Sequence, residues 1–136
     1  MSTDADEGGE ERFAVRVPAA AGTSDDVVVL ALRGELDHDT VGPLSTALDA
    51  HPRARRVVVD CSGLTFCDST GLNELLRARL RLRETGGRLD LAGIRPPVDR
   101  MFEITGAERV FRVYGDLAAA LADEQAAPGD GEEARG

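Results

Sequence analysis

The chain has 136 residues, 42% hydrophobic and 30% charged, with a formal net charge of −9 at pH 7, which is room for one domain and its core. The excess charge lies at the ends: residues 1–11 carry five acids and no base, residues 123–136 carry five acids against Arg135, and residues 12–122 balance 15 acids with 15 arginines while holding every Val, Leu, Ile and Phe. The absence of lysine excludes a P-loop, a Schiff base and a lysine general base; two histidines, His38 and His51, are too few for a three-histidine zinc site; and a neutral core with acidic ends argues against nucleic acid as partner.

In chain order, Phe13, Val15 and Val17 alternate with polar or small residues as a strand exposed on one face, and Pro18 ends it. Residues 19–26 read as a loop. Val27–Leu32 is a continuous apolar run, the pattern of a strand covered on both faces. Gly34–Asp39 is expected to turn, and Thr40–Ala50 to form a short helix with Val41, Leu44 and Leu48 on one side, closed by Pro52. Arg56–Cys61 is a second buried strand, with a bend at Ser62-Gly63. A helix opens near Asp68–Thr70 and runs to about Thr85, stopped by Gly86-Gly87. Arg88–Leu91, Pro96–Ile104, Val110–Val113 and Asp116–Ala122 then read as strand, helix, strand and helix.

This alternation predicts an α/β domain over residues 12–122, a mostly parallel central sheet of four to five strands with about four helices packed on it. Residues 1–11 and 123–136 are acidic and free of large apolar groups, so they are expected to be disordered tails. In the long helix, Leu72, Leu75, Leu76 and Leu80 draw an apolar stripe, and Arg77, Arg81 and Glu84 lie away from it. No apolar run reaches the roughly 18 residues of a membrane span, and the acidic start lacks the basic and apolar regions of a secretory signal, so no membrane partner and a cytoplasmic location are expected. Cys61 and Cys67 then read as buried thiols. No cofactor and no metal site are expected.

The chemically suggestive stretch is Phe66-Cys67-Asp68-Ser69-Thr70-Gly71, between a buried strand and a helix start. Such a turn presents unpaired amides with partial positive charge and can hold a phosphoryl group. Three readings compete. Asp68, Ser69 and Thr70 can simply cap the helix; Cys67 can be a nucleophile activated by the helix end, although Asn73 stands where a cysteine phosphatase needs its arginine; or Ser69 can be a phosphorylation switch. In the earlier loop, Asp37 or Asp39 can cap the helix that follows and Gly34 can supply a special backbone angle, while His38 is a contact candidate only.

Gly34-Glu35-Leu36-Asp37-His38-Asp39-Thr40 after one strand and Cys67-Asp68-Ser69-Thr70-Gly71-Leu72 after the next, in this order and spacing, closely resemble the anti-sigma factor antagonists of the STAS family, and the resemblance covers about residues 12–122. It implies a single STAS domain that is a binding switch and not an enzyme. It further implies that the unphosphorylated form binds an anti-sigma factor that is also a serine kinase, that phosphorylation falls on Ser69, and that a PP2C-type phosphatase reverses it. Carried over by position, the partner surface comprises Asp37, His38, Asp39, Asp68, Ser69, Thr70, Gly71 and Asn73. Cys67 and Asn73 depart from the residues common there in the family. The alternatives are a STAS accessory subunit of a transporter, a nucleotide-sensing module, and a small Cys67 thiol enzyme.

Overall fold

The computed structural model describes residues 12–18 and 26–123. The expectations for residues 1–11, 19–25 and 124–136 lie outside these. Five strands, β1 (Phe13–Arg16), β2 (Val27–Leu36), β3 (Arg56–Cys67), β4 (Arg88–Ala92) and β5 (Arg112–Tyr114), form one sheet in sequential order. β1 runs antiparallel to β2, and β2 to β5 are mutually parallel. Four helices join or follow the parallel strands: α1 (Val41–Asp49), α2 (Ser69–Glu84), α3 (Val98–Thr105) and α4 (Leu117–Ala122), with a short 3-10 turn at Ala107–Arg109. The α/β class, the mostly parallel sheet and the helix number agree with the sequence pattern.

Strand alternation sorts the core into two unequal layers. Val28, Leu30, Leu32, Val57, Val59, Cys61, Leu89 and Leu91 share a cluster with Leu44 and Leu48 of α1, Leu72, Leu75, Ala78 and Leu82 of α2, and Val98 and Phe102 of α3. The other face carries Val29, Val58 and Ala92 against Ala120 of α4, with Tyr114, Leu117 and Leu121 around them. Three helices therefore cover one face and α4 covers part of the other. Each Val or Leu buried here contributes about 1.5–3 kcal/mol of transfer free energy.

Two strands run further than their apolar stretches. β2 continues through Gly34 to Leu36, where a turn was expected, and β3 continues through Ser62-Gly63 to Cys67, where a bend was expected. The extra length is kept in register by irregularities between Ala31 and Arg33 and between Gly34 and Glu35, after which Leu36 pairs with Cys67. Gly34, with φ +100°, is required here: a Cβ at this position would lie 1.9 Å from the Arg12 carbonyl oxygen. The stripe on α2 is also shifted. Leu72 and Leu75 are buried and Leu76 is partly buried, but Leu80 is 57% exposed and its expected place is taken by Ala78 and Leu82. β5 begins two residues later than expected because the 3-10 turn occupies Ala107–Arg109.

Candidate functional site

The site is built where β2 and β3 end side by side. Past the Leu36–Cys67 pair, the Asp68 amide donates to the Leu36 carbonyl at 3.1 Å, so the turn after β2 and the first turn of α2 are stitched together. Asp68 is the N-cap of α2: its carboxylate accepts from the Gly71 amide at 3.1 Å and its carbonyl from the Leu72 amide at 3.1 Å. The capping expected of Asp68 is thus present, and helix geometry leaves the Ser69 and Thr70 amides without an intrahelical acceptor. Ser69 is exposed in the first turn, Thr70 half-buried beside it.

Gly71, expected on the contact surface, is buried. A Cβ there would lie 2.6 Å from Leu36 Cγ, 2.7 Å from Leu36 Cδ2 and 3.1 Å from Cys67 Sγ. Its absence lets the helix start press onto the strand ends, so Gly71 supports the turn from beneath and presents no side chain. Asn73 is exposed one turn beyond Ser69, followed on the same side by exposed Arg77 and Leu80.

The turn after β2 is organised by a carboxylate. Asp37 Oδ1 accepts from the Asp39 amide at 2.9 Å and from the Thr40 amide at 3.1 Å, and the Thr40 hydroxyl donates to the Glu35 carbonyl at 2.8 Å. Asp37 therefore ties the entry to α1, where Thr40 is the N-cap without a side-chain cap bond of its own, and Asp39 points outward. His38 is exposed, with Nε2 3.3 Å from Asp39 Oδ1.

Arg12, outside the sequence-derived site, completes this turn. Its Nη1 donates to Glu35 Oε1 and to Asp37 Oδ2, both at 3.1 Å, and its Nη2 lies 3.9 Å from Asp39 Oδ2. Its carbonyl accepts from the Glu35 amide at 2.7 Å. Partial desolvation pushes the Asp37 carboxyl upward, but the hydrogen bonds from Arg12, the Asp39 amide and Thr40 outweigh it and hold the group below the usual carboxylate range. The signal available in the sequence was charge: Arg12 is a base at the start of a strand that pairs back on the acidic loop. Phe66, at the end of β3 and 46% exposed, is the large apolar group on this surface that the motif reading did not single out as a contact.

Cys61 and Cys67 are buried free thiols. Burial pushes both upward in pKa, with the nearby Asp68 adding to the effect at Cys67, which reaches about 12. The helix end does not generate a thiolate here: the buried Cys67 Sγ lies against Gly71 and donates to the Asp68 carbonyl at 3.5 Å. Among the described residues, no group of three His, Cys, Asp or Glu is placed to hold a metal ion, and no helix is long and apolar enough to cross a membrane.

A family model described as "Mlab, STAS domain" matches residues 19–121. The chain belongs to the STAS domain family. Within it, this STAS domain is similar to a Bordetella bronchiseptica protein named "putative anti-sigma factor antagonist", 32% identical over 100 residues that cover 72% of this chain and 86% of the relative. It is similar as well to the anti-sigma F factor antagonist of Paenibacillus polymyxa, 28% identical over 100 residues, 71% of this chain and 86% of that protein. Among solved structures, an anti-sigma factor antagonist from Mycobacterium paratuberculosis superimposes with a TM-score of 0.70 at 27% identity, covering 81% of this chain and 92% of that one. These relatives are named for a regulatory rather than a catalytic role.

Proposed function

We propose that this STAS domain binds an anti-sigma factor that is also a serine kinase, that phosphorylation of Ser69 ends the complex, and that a PP2C-type phosphatase restores it. The observation that carries the reading is the exposure of Ser69 at the first turn of a capped helix, joined to the acidic turn after β2 by the Asp68–Leu36 hydrogen bond. The docking surface on this reading comprises Asp37, His38 and Asp39, the Asp68–Gly71 turn with Ser69 exposed, Thr70 half-buried and Gly71 beneath, and Asn73, with Phe66 as an apolar contact. The setting is the cytoplasm, where sigma factors act.

The switch follows from charge. A phosphoserine adds about −1.5 to −2 units at pH 7. At Ser69 it would stand beside Asp68 and near a turn whose three acids, Glu35, Asp37 and Asp39, share one Arg12. The free amides of the helix end favour the phosphate by only ~0.3–1 kcal/mol, enough to hold it without refolding the domain. A carboxylate on the partner, accepted while Ser69 is neutral, would then face a dianion in a desolvated interface.

The test is to incubate the protein with its anti-sigma kinase and ATP and to locate the phosphate by mass spectrometry. Ser69→Ala is expected to block phosphorylation and keep binding, and Ser69→Asp to weaken binding at least tenfold, about 1.4 kcal/mol. Phosphate on Thr70 or Ser62 with Ser69 unmodified, or recovery of transporter subunits in place of an anti-sigma factor from native extract, would overturn the proposal.

A further inference from the structure

At the opposite end of the sheet from Ser69, a cavity of about 350 Å³ opens at the starts of β4 and β5, beside the last turns of α2. Its walls carry Arg79, Arg83, Arg88, Arg109 and Arg112 against one acid, Asp90. That acid is already engaged: its Oδ2 accepts from Nε of Arg56 at 2.7 Å, on the strand behind, and from Nε of Arg88 at 3.0 Å. The side chains of Arg56 and Arg88 are 1% and 12% exposed, and both terminal nitrogens of each have no acceptor among the described residues. Two buried guanidiniums thus share a single carboxylate oxygen. The next carboxylate, Asp123, accepts from the Tyr114 hydroxyl at 2.6 Å and stands 3.8 Å from Nη1 of Arg112.

Buried donors without acceptors are costly, and like charges held together in a low-dielectric wall more so. Arg88 lines the cavity, whereas Arg56 lies behind it with its guanidinium carbon 5.6 Å from the centre of the Tyr114 ring. An oxyanion in the cavity meets the open nitrogens of Arg88 and offsets the positive charge of the wall, and the planar fork of a guanidinium matches phosphate oxygens two at a time. The volume lies at the lower end of small-molecule sites, roughly 300–1,000 Å³. The one aromatic ring in the wall, Phe111, is itself buried in the core, so recognition would run through oxygens and not through stacking. We propose that this arginine-lined cavity binds a small molecule bearing two or three linked phosphate groups. The site is remote from Ser69 in the fold and does not depend on the reading of the switch.

The probe is inorganic triphosphate, titrated into the full-length protein at about 0.15 M salt, where long-range screening is strong, with binding read by calorimetry and by amide chemical shifts. One saturable site is expected, with shifts confined to residues 79–90 and 107–114. Arg109→Gln and Arg83→Gln, both exposed positions, should each weaken binding at least tenfold while the fold stays intact, and Arg95→Gln, an exposed arginine outside the cavity, should leave it unchanged. Failure to saturate at millimolar triphosphate, equal losses in Arg95→Gln and Arg109→Gln, or binding that emerges only in a full-length variant with Glu124, Asp130, Glu132 and Glu133 converted to amides would overturn the proposal. The last outcome would mean that the chain's own carboxylates occupy the arginines.

Discussion

Gly71→Ala is the substitution that tests most directly how the helix start is set against the strand ends. In an open helix position, replacing Gly by Ala stabilises by about 0.4–1 kcal/mol, through helix propensity and a less flexible unfolded chain. At Gly71 the new methyl would meet Leu36 Cγ at 2.6 Å and Cδ2 at 2.7 Å, and Leu36 is fully buried and cannot swing aside. Overpacking of this kind costs about 1–3 kcal/mol, so the net effect is a loss of ~1–2 kcal/mol, with the first turn of α2 lifted off the strand ends. Gly42→Ala in α1 is the matched control, because a Cβ there meets nothing within 4 Å. Urea unfolding of both variants should give changes of opposite sign, and on the proposed switch the displaced Ser69 in Gly71→Ala should be a poorer kinase substrate. If Gly71→Ala stabilises the protein as much as Gly42→Ala, the close approach of helix and strand described above is wrong.

Removing Arg12 should free the acidic turn: in Arg12→Ala the Asp37 carboxyl should titrate nearer its ordinary value by NMR, and exchange of the Asp39 and Thr40 amides should quicken. Because Asp37 is held below its unfolded value, its contribution to stability is complete above about pH 4 and disappears as the pH falls through the lower folded value; that segment of the acid-stability curve should flatten in Arg12→Ala. Asp90→Asn leaves Arg56 and Arg88 without their shared countercharge and is expected to cost about 3–5 kcal/mol in denaturant unfolding, whereas a loss under about 1 kcal/mol would show that the guanidiniums find other partners. Thiol titration near pH 8 should find Cys61 and Cys67 unreactive until the protein unfolds, since burial keeps both protonated.

The mostly parallel sheet and the helices were legible because apolar runs such as Val27–Leu32 and Arg56–Cys61 are separated by helical periodicities of the right length, whereas the sequential strand order was not read from the chain. The strand ends were not. Gly34 and Ser62-Gly63 read as turns, but paired irregularities in β2 and β3 absorb them, and whether a glycine ends a strand or bulges it is decided by the neighbouring strand and not by local sequence. Leu80 misled for a similar reason: spacings of three and four fit more than one stripe, and the small Ala78 gave no signal of its burial. Of the site, the two motifs were readable along the chain. Arg12 and the sharing of Asp90 by Arg56 and Arg88 were hidden, because ion pairs between distant segments leave no periodic trace.

The sequential order of the strands has a further consequence for synthesis. Each strand pairs with the one made just before it, so no edge waits for a partner from the far end of the chain. At about 5–20 residues per second on the ribosome, β2, α1 and β3 can pair while β4 is still being made, and the acidic turn and Ser69 would be in place before the arginine-lined end exists. Arrested nascent chains ending after α2 should therefore already resist protease across residues 27–67, and uniform digestion of that segment would show that the domain forms only as a whole.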